Sequence, residues 1–165
     1  MRYLIVFLLL LVAACAPTQA PDPANLQPAD FVLVDKSDRT LTLFAEGRAL
    51  KTYTGLAFGD APVGHKRYEG DERTPEGRYT IDTRNPNSAY HLSLRISYPN
   101  AADRAFAAAR GRDPGGDIFI HGQPNESPLA RLPGDWTDGC IAVSDAEMDE
   151  LWLLVRDGTP IEIQP

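Results

Sequence analysis

Cysteine is scarce in this sequence of 165 residues, which has only Cys15 and Cys140. Once the first fifteen residues are set aside, Cys140 is the only thiol that remains, within the segment WTDGC. A thiol on its own is either a reactive nucleophile or a small buried hydrophobic side chain. The surroundings of Cys140 have to decide between these two roles.

Basic residues are also few: the sequence has 16 Lys and Arg and 23 Asp and Glu, so its net charge is -7. A nucleic-acid-binding protein needs a basic face, so we expect no nucleic-acid partner. With 43% hydrophobic and 24% charged residues, the composition is typical of a soluble globular protein. The length is enough for one domain and too short for two with full cores.

The sequence also lacks an apolar run of about 20 residues, the length that crossing a bilayer takes. The run from Tyr3 to Ala14 is shorter, follows one Arg and ends in small residues, which is typical of an export signal. The residues LVAAC resemble the lipobox of bacterial lipoproteins, where the cysteine, here Cys15, is lipidated and holds the protein on a membrane. Ordinary signal cleavage after Ala14 or Ala16 is the alternative. We therefore expect an exported, periplasmic protein with a lipid anchor.

Composition divides the chain into three parts. Residues 1–15 are the predicted signal peptide with its lipobox, and residues 16–30 are rich in Pro and Ala without periodicity, which predicts a flexible tether. Residues 31–165 form the predicted domain. If Cys15 is acylated, Cys140 has no disulfide partner in the oxidising compartment, and an unpaired thiol there indicates a function.

Short strand-like runs dominate the predicted domain. They indicate a single, mainly β domain with a curved mixed sheet, or sandwich, and two or three peripheral helices. Asn100 and Gly111 bound an Ala-rich predicted helix, and the capping-box spacing of Ser144 and Glu147 begins another that ends at Gly158. The predicted strands are FVLVD, TLTLFA, ALKTYTGLAF, RYTID, YHLSLRIS, DIFIHG and TPIEI.

His121 is the natural partner for the thiol of Cys140, which follows nineteen residues later across a loop that contains Pro and Gly. A cysteine near its ordinary pKa is mostly protonated at neutral pH, so it needs a base to become a nucleophile. Gly139 lets backbone N–H groups approach a reacting carbonyl. From the residues alone, a structural histidine and an inert core cysteine remain the alternatives.

The segments IHG at 120–122 and TDGCIAV at 137–143 resemble the L,D-transpeptidase catalytic domain of bacterial cell-wall enzymes, also called the YkuD domain. The similarity extends through PVGHKRYEGDERTPEGRYTI, NPNSAYHLSLRISYPNAADR and GTPIEI, and so covers about residues 31–165. It implies that Cys140 is the nucleophile and His121 its base. It further implies that the Gly122 carbonyl orients the imidazole and that the N–H groups of Gly139 and Cys140 stabilise an oxyanion.

The resemblance also implies a substrate, the peptidoglycan stem peptide, and no cofactor. Cys140 would attack the bond between meso-diaminopimelate and D-Ala and form a thioester. The acceptor stays open: a second diaminopimelate amine, a lysine of an outer-membrane lipoprotein, or water. With water the protein would be a thiol hydrolase, either an L,D-carboxypeptidase or an amidase that releases an anchored lipoprotein. Asp138 stands where the family usually has histidine and Ala142 where it has Arg or Asn, so a catalytically silent wall-binding lipoprotein is the other alternative.

Five further residues are candidates for substrate binding: Tyr90, His91, Trp136, Thr137 and Asp138. Packing is the ordinary role of such aromatic side chains, and exposure on a strand surface is the ordinary role of a lone histidine. A zinc site made of His91, His121 and Cys140 contains the right ligand types but matches no usual zinc spacing, so we expect no metal.

Overall fold

Eight strands and two helices make up residues 27–165, the part of the chain that the computed structural model describes. The predicted signal peptide and residues 16–26 of the predicted tether lie outside the described residues. The strands are β1 (Phe31–Asp35), β2 (Thr40–Ala45), β3 (Arg48–Thr54), β4 (Gly77–Asn85), β5 (Ser93–Ile96), β6 (Phe119–His121), β7 (Ile141–Ala142) and β8 (Pro160–Gln164), and the helices are α1 (Ala101–Ala108) and α2 (Asp145–Leu154).

One sheet holds all eight strands, in the order β3-β2-β1-β8-β4-β5-β6-β7. The pairs β1–β8 and β6–β7 are parallel, and the other neighbours are antiparallel. The chain beyond β3 returns to the far end of this order, because Ala57 pairs with Ala142 and Gly59 with Thr137. The sheet is therefore curled, and the predicted mainly β fold with a mixed curved sheet and two helices is confirmed.

Alternation of apolar and polar residues explains the hairpin of β1 and β2. Val32 and Val34 on β1 and Leu41 and Leu43 on β2 are fully buried, while the residues between them are only partly covered. Asp35 closes the turn, since its carboxylate accepts hydrogen bonds from the Ser37 hydroxyl and the Asp38 N–H. β8 extends this core by pairing Ile161 and Ile163 with the buried valines of β1.

Both helices begin where the sequence predicts and end earlier. Asn100 caps α1 in a capping box with Asp103, and Ser144 caps α2 in a capping box with Glu147. The helix ends predicted at Gly111 and Gly158 lie at Ala108 and Leu154 instead. Among residues 27–165, neither helix has the length and apolar character that a membrane crossing requires.

Candidate active site

His121 lies on β6, and Cys140 immediately precedes the neighbouring parallel strand β7. Ile120 of β6 pairs with Ile141 of β7, and His121 pairs with Ala142, so Cys140 stands one step before β7 beside Phe119. Side chains alternate between the two faces of a sheet, and extending the β7 register back by one residue places His121 and Cys140 on one face as diagonal neighbours. Both side chains line the same cavity of about 730 Å³.

The imidazole of His121 is held in one tautomer. Its Nδ1 lies 2.7 Å from the Gly122 carbonyl oxygen, and since a carbonyl can only accept, Nδ1 carries the proton. His121 is 3% exposed, and this burial lowers the pKa of its imidazole below the ordinary value. The neutral ring therefore has the unshared electron pair of Nε2 available to accept a proton in the cavity.

Gly122 is required at this position by space. A Cβ there would lie 2.5 Å from Asp145 Oδ1 and 2.9 Å from His91 Cβ. Its N–H also donates to the Tyr90 carbonyl at 3.0 Å. The residue that orients the base is thus packed from three sides.

The surroundings of Cys140 disfavour its thiolate form. Burial raises the pKa of Cys140 to about 11, the Phe119 N–H and the Lys66 ammonium lower it, and the Asp138 and Asp117 carboxylates raise it. The Phe119 N–H lies 3.4 Å from Sγ, and the Asp117 carbonyl, 3.6 Å away, accepts from the thiol. A base is therefore needed for the sulfur to act as a nucleophile.

A hydroxyl fixes the turn before the cysteine. Thr137 Oγ1 donates to the Cys140 carbonyl at 2.8 Å and accepts from the Gly139 N–H at 3.2 Å. Gly139 has φ of 119°, and a Cβ there would lie 2.5 Å from the Arg73 carbonyl oxygen, so only glycine fits. The Gly139 N–H is thus already engaged, whereas the Cys140 N–H has no hydrogen-bond partner among residues 27–165.

Two aromatic side chains stand beside the imidazole. The ring of Tyr90 lies 4.6 Å from that of His121, centroid to centroid, and the ring of Trp136 lies 5.6 Å from it. Tyr90 and Trp136 are 6.0 Å apart, and both line the cavity. They provide an aromatic wall beside the base.

The other predicted substrate contacts divide in two. Asp138 is exposed and lines the cavity, and Thr137 lines it too, although its hydroxyl is engaged in the turn. His91 does not line it: its Nε2 lies 2.7 Å from Asp149 Oδ1 on α2. His91, His121 and Cys140 therefore do not come together as zinc ligands. Among residues 27–165, no group of three His, Cys, Asp or Glu side chains is placed to hold a metal ion.

The residues that anchor the loop before Cys140 have no local signal in the sequence. Arg39 makes two hydrogen bonds of 2.7 Å to Asp135, which also accepts from the Phe58 N–H at 2.9 Å. Gln123 is 1% exposed and accepts from the Leu132 N–H at 2.7 Å. The Arg39–Asp135 pair is separated by 96 residues, and nothing in the sequence signals such a contact.

Residues 29–163 match the YkuD family, described as the L,D-transpeptidase catalytic domain. YafK of Escherichia coli (strain K12), a protein assigned to the L,D-transpeptidases, is 27% identical over 132 residues, which are 76% of this chain and 46% of YafK. The chain thus spans about half the length of this curated relative.

Solved structures show the same fold. The helical cell shape determining protein Pgp2 from Campylobacter jejuni superposes with a TM-score of 0.66 at 28% identity, over 83% of this chain and 48% of Pgp2. The L,D-transpeptidase from Xylanimonas cellulosilytica superposes with a TM-score of 0.54 at 17% identity, over 84% of this chain and 62% of that one. With a family match over nearly the whole described region, the chain belongs to the YkuD family of L,D-transpeptidase catalytic domains.

Proposed function

We propose that this protein is a cysteine-dependent L,D-transpeptidase that acts on peptidoglycan stem peptides through a thioester on Cys140. The observation that supports this proposal is that Cys140 and His121 are diagonal neighbours in one cavity. His121 Nδ1 donates its hydrogen bond to the Gly122 carbonyl, which leaves Nε2 as the base. No acidic third residue is needed, because the backbone orients the ring.

The first step begins from two neutral groups. As Sγ attacks the carbonyl carbon between meso-diaminopimelate and D-Ala, the thiol proton passes to Nε2 of His121 and a carbon–sulfur bond forms. The carbonyl electron pair becomes an oxyanion. The unpartnered N–H of Cys140 is the donor that the backbone offers to it.

The second half of the cycle returns the proton. The bond to nitrogen breaks, His121 protonates the leaving amine of D-Ala, and the stem remains on sulfur as a thioester. An acceptor amine then attacks, His121 takes its proton, and the sulfur leaves as the thiol when that proton is returned. The enzyme is regenerated without a cofactor.

The acceptor distinguishes three products of the same thioester. A diaminopimelate amine gives a cross-link, a lysine of an outer-membrane lipoprotein gives an anchor, and water gives hydrolysis. Acidic side chains around the cavity, among them Asp138, favour an amine, since they attract a cationic group. We therefore place an amine first and a thiol hydrolase second.

The location proposed for this activity is the periplasm, with the chain held on a membrane by acyl groups on Cys15. The LVAAC segment supports it.

Release of D-Ala from purified stem tetrapeptides tests the proposal, with chromatography of the remaining stem. We expect release by the wild-type protein and a loss of at least about a thousandfold in Cys140→Ala. Thr42→Val, on the outer face of β2, is the control that should stay active, because Thr42 does not line the cavity. Release that persists in Cys140→Ala would exclude the thioester, and no release by any form would favour a silent wall-binding protein.

A further inference from the structure

We propose that Lys66 is the carboxylate receptor of the cavity, where its ammonium group binds a free carboxylate of the stem peptide. This inference rests on the proposed function and specifies how the same site recognises its substrate. It depends on the burial of Lys66, on its unused hydrogen-bond donors and on the charges around it.

Lys66 is buried and yet borders the reaction site. Its side chain is 3% exposed and lines the cavity that contains Cys140 and His121. Among the described residues that line this cavity, it is the only lysine or arginine. A buried cation is rare unless it is paired, so its partners are informative.

The hydrogen bonds of Lys66 are incomplete. An ammonium has three N–H donors, and the one acceptor recorded for it among residues 27–165 is Asp71 Oδ1, at 3.1 Å. The Asp71 carboxylate also accepts from the N–H groups of Arg67, Tyr68 and Arg73, so it mainly holds its own loop together. Two donors of Lys66 are left for a group that enters the cavity.

Lys36 shows that the fold can satisfy a buried ammonium completely. Its Nζ has three acceptors: the Gly64 carbonyl at 2.7 Å, Glu76 Oε1 at 2.7 Å and the Thr74 carbonyl at 3.4 Å. Lys36 does not line the cavity. Of the two buried ammonium groups, only that of Lys66, at the cavity, has unused donors. Leaving such donors unpaired costs free energy, so a ligand that accepts from them would be stabilised.

The charges around Lys66 restrict where a carboxylate can bind. Apart from Lys66, the charged side chains of the Asp, Glu, Lys and Arg residues that line the cavity are all acidic: Glu69, Glu72, Asp117 and Asp138. They repel a carboxylate and attract an amine. Lys66 is therefore the one position in the cavity that favours a carboxylate, while the acidic side chains leave room for an ammonium beside it.

Two free carboxylates of the stem peptide lie on the residues that flank the attacked bond, the terminal one of D-Ala and the free one of the diaminopimelate side chain, and these are the candidates for Lys66. Binding to the Cys140→Ala protein separates them without any reaction. We would measure the Kd of the tetrapeptide and of two amides, each with one carboxylate converted to the amide. The proteins are the full chain with Cys140→Ala and the same chain with Lys66→Met added, which keeps most of the aliphatic stem.

We expect Lys66→Met to weaken tetrapeptide binding about tenfold to a hundredfold, because a hydrogen-bonded charge pair is lost. One of the two amides should weaken binding by a similar factor when Lys66 is present and have little further effect when it is Met. That amide identifies the carboxylate that Lys66 holds. Lys66→Arg should restore part of the affinity, and Lys51→Met, on β3 next to Glu150, should change nothing.

Three results would overturn the proposal. The first is that each amide binds more weakly than the tetrapeptide by the same factor whether residue 66 is Lys or Met. The second is that Lys66→Met changes the affinity for the tetrapeptide less than about twofold, and the third is that the tetrapeptide does not bind at all. A thermal melt shows whether the Lys66→Met chain is folded, and the amides test the unaltered Lys66 independently of it. Failure of D-Ala release would contradict the thioester chemistry, whereas failure here would contradict only the role of Lys66.

Discussion

Burial moves the two central side chains toward the same neutral state. It raises the pKa of the Cys140 thiol to about 11 and lowers the pKa of the His121 imidazole. A resting thiolate–imidazolium pair would need the opposite shifts. From these two pKa shifts we expect that proton transfer from Cys140 to His121 accompanies the attack on the substrate.

The pH dependence of kcat/KM tests this protonation state. His121 acts as a base only when neutral, and because its pKa is lowered, activity should persist below pH 6.5, the ordinary histidine value, and fall as the pH drops through the lowered pKa. On the alkaline side, alkylation of Cys140 by iodoacetamide without substrate should keep rising toward pH 11. Alkylation that is already maximal at pH 7, with kcat/KM falling at alkaline pH as an imidazolium loses its proton, would show a preformed ion pair.

Asp138 gives a second prediction at this scale. Its carboxylate raises the pKa of Cys140, so Asp138→Asn should increase the rate of thiol alkylation at pH 8 by a few-fold. Asp157→Asn, an exposed change away from the cavity, is the matched control. An unchanged rate in Asp138→Asn would mean that this carboxylate does not act on the sulfur.

At the scale of the elements, Thr137 joins the cysteine turn into one unit. Thr137→Val keeps the shape but leaves the Cys140 carbonyl and the Gly139 N–H without their partner. We expect the free energy of unfolding to fall by about 1–3 kcal/mol and kcat to fall more than KM rises, because the sulfur loses its fixed position. Thr137→Ser, which keeps the hydroxyl, should recover most of both. Equal kinetics in all three proteins would show that the turn needs no such clamp.

Most elements could be predicted from the sequence because their signals are local. Alternation locates β1 and β2, and capping boxes locate the starts of both helices. The third strand, predicted to continue to Phe58, stops at Thr54 because Gly55 has φ of 69° and the chain turns toward β7. The strand predicted from Tyr90 begins only at Ser93, after His91 with φ of 63°.

The site was predictable only where a short motif carries it. The segments around His121 and Cys140 indicate the pair and the orienting Gly122 carbonyl. The role of Lys66 was not predictable, because it stands in a loop crowded with charges, and burial and unused donors appear only in three dimensions. The engagement of the Gly139 N–H by Thr137 likewise depends on turn geometry that the letters do not contain.

For the whole molecule, the proposed location rests on the N-terminal residues rather than on the domain. Acyl chains on Cys15 would hold the protein on a membrane, so Cys15→Ser should move it from the membrane fraction to the soluble periplasmic fraction or leave it as an unprocessed precursor. Fractionation with labelled fatty acid measures both. A wild-type protein that is soluble and carries no label would contradict the anchor.

The proposed mechanism requires a covalent bond between the stem peptide and Cys140. Its most direct measurement is the intact-protein mass after brief incubation with stem tetrapeptide and acid quenching, followed by peptide mapping, for the wild type, Cys140→Ala and His121→Gln. We expect an added tripeptide acyl group on Cys140 in the wild type, no adduct in Cys140→Ala and a much slower one in His121→Gln. D-Ala release without an adduct at Cys140, or an adduct at another residue, would contradict it.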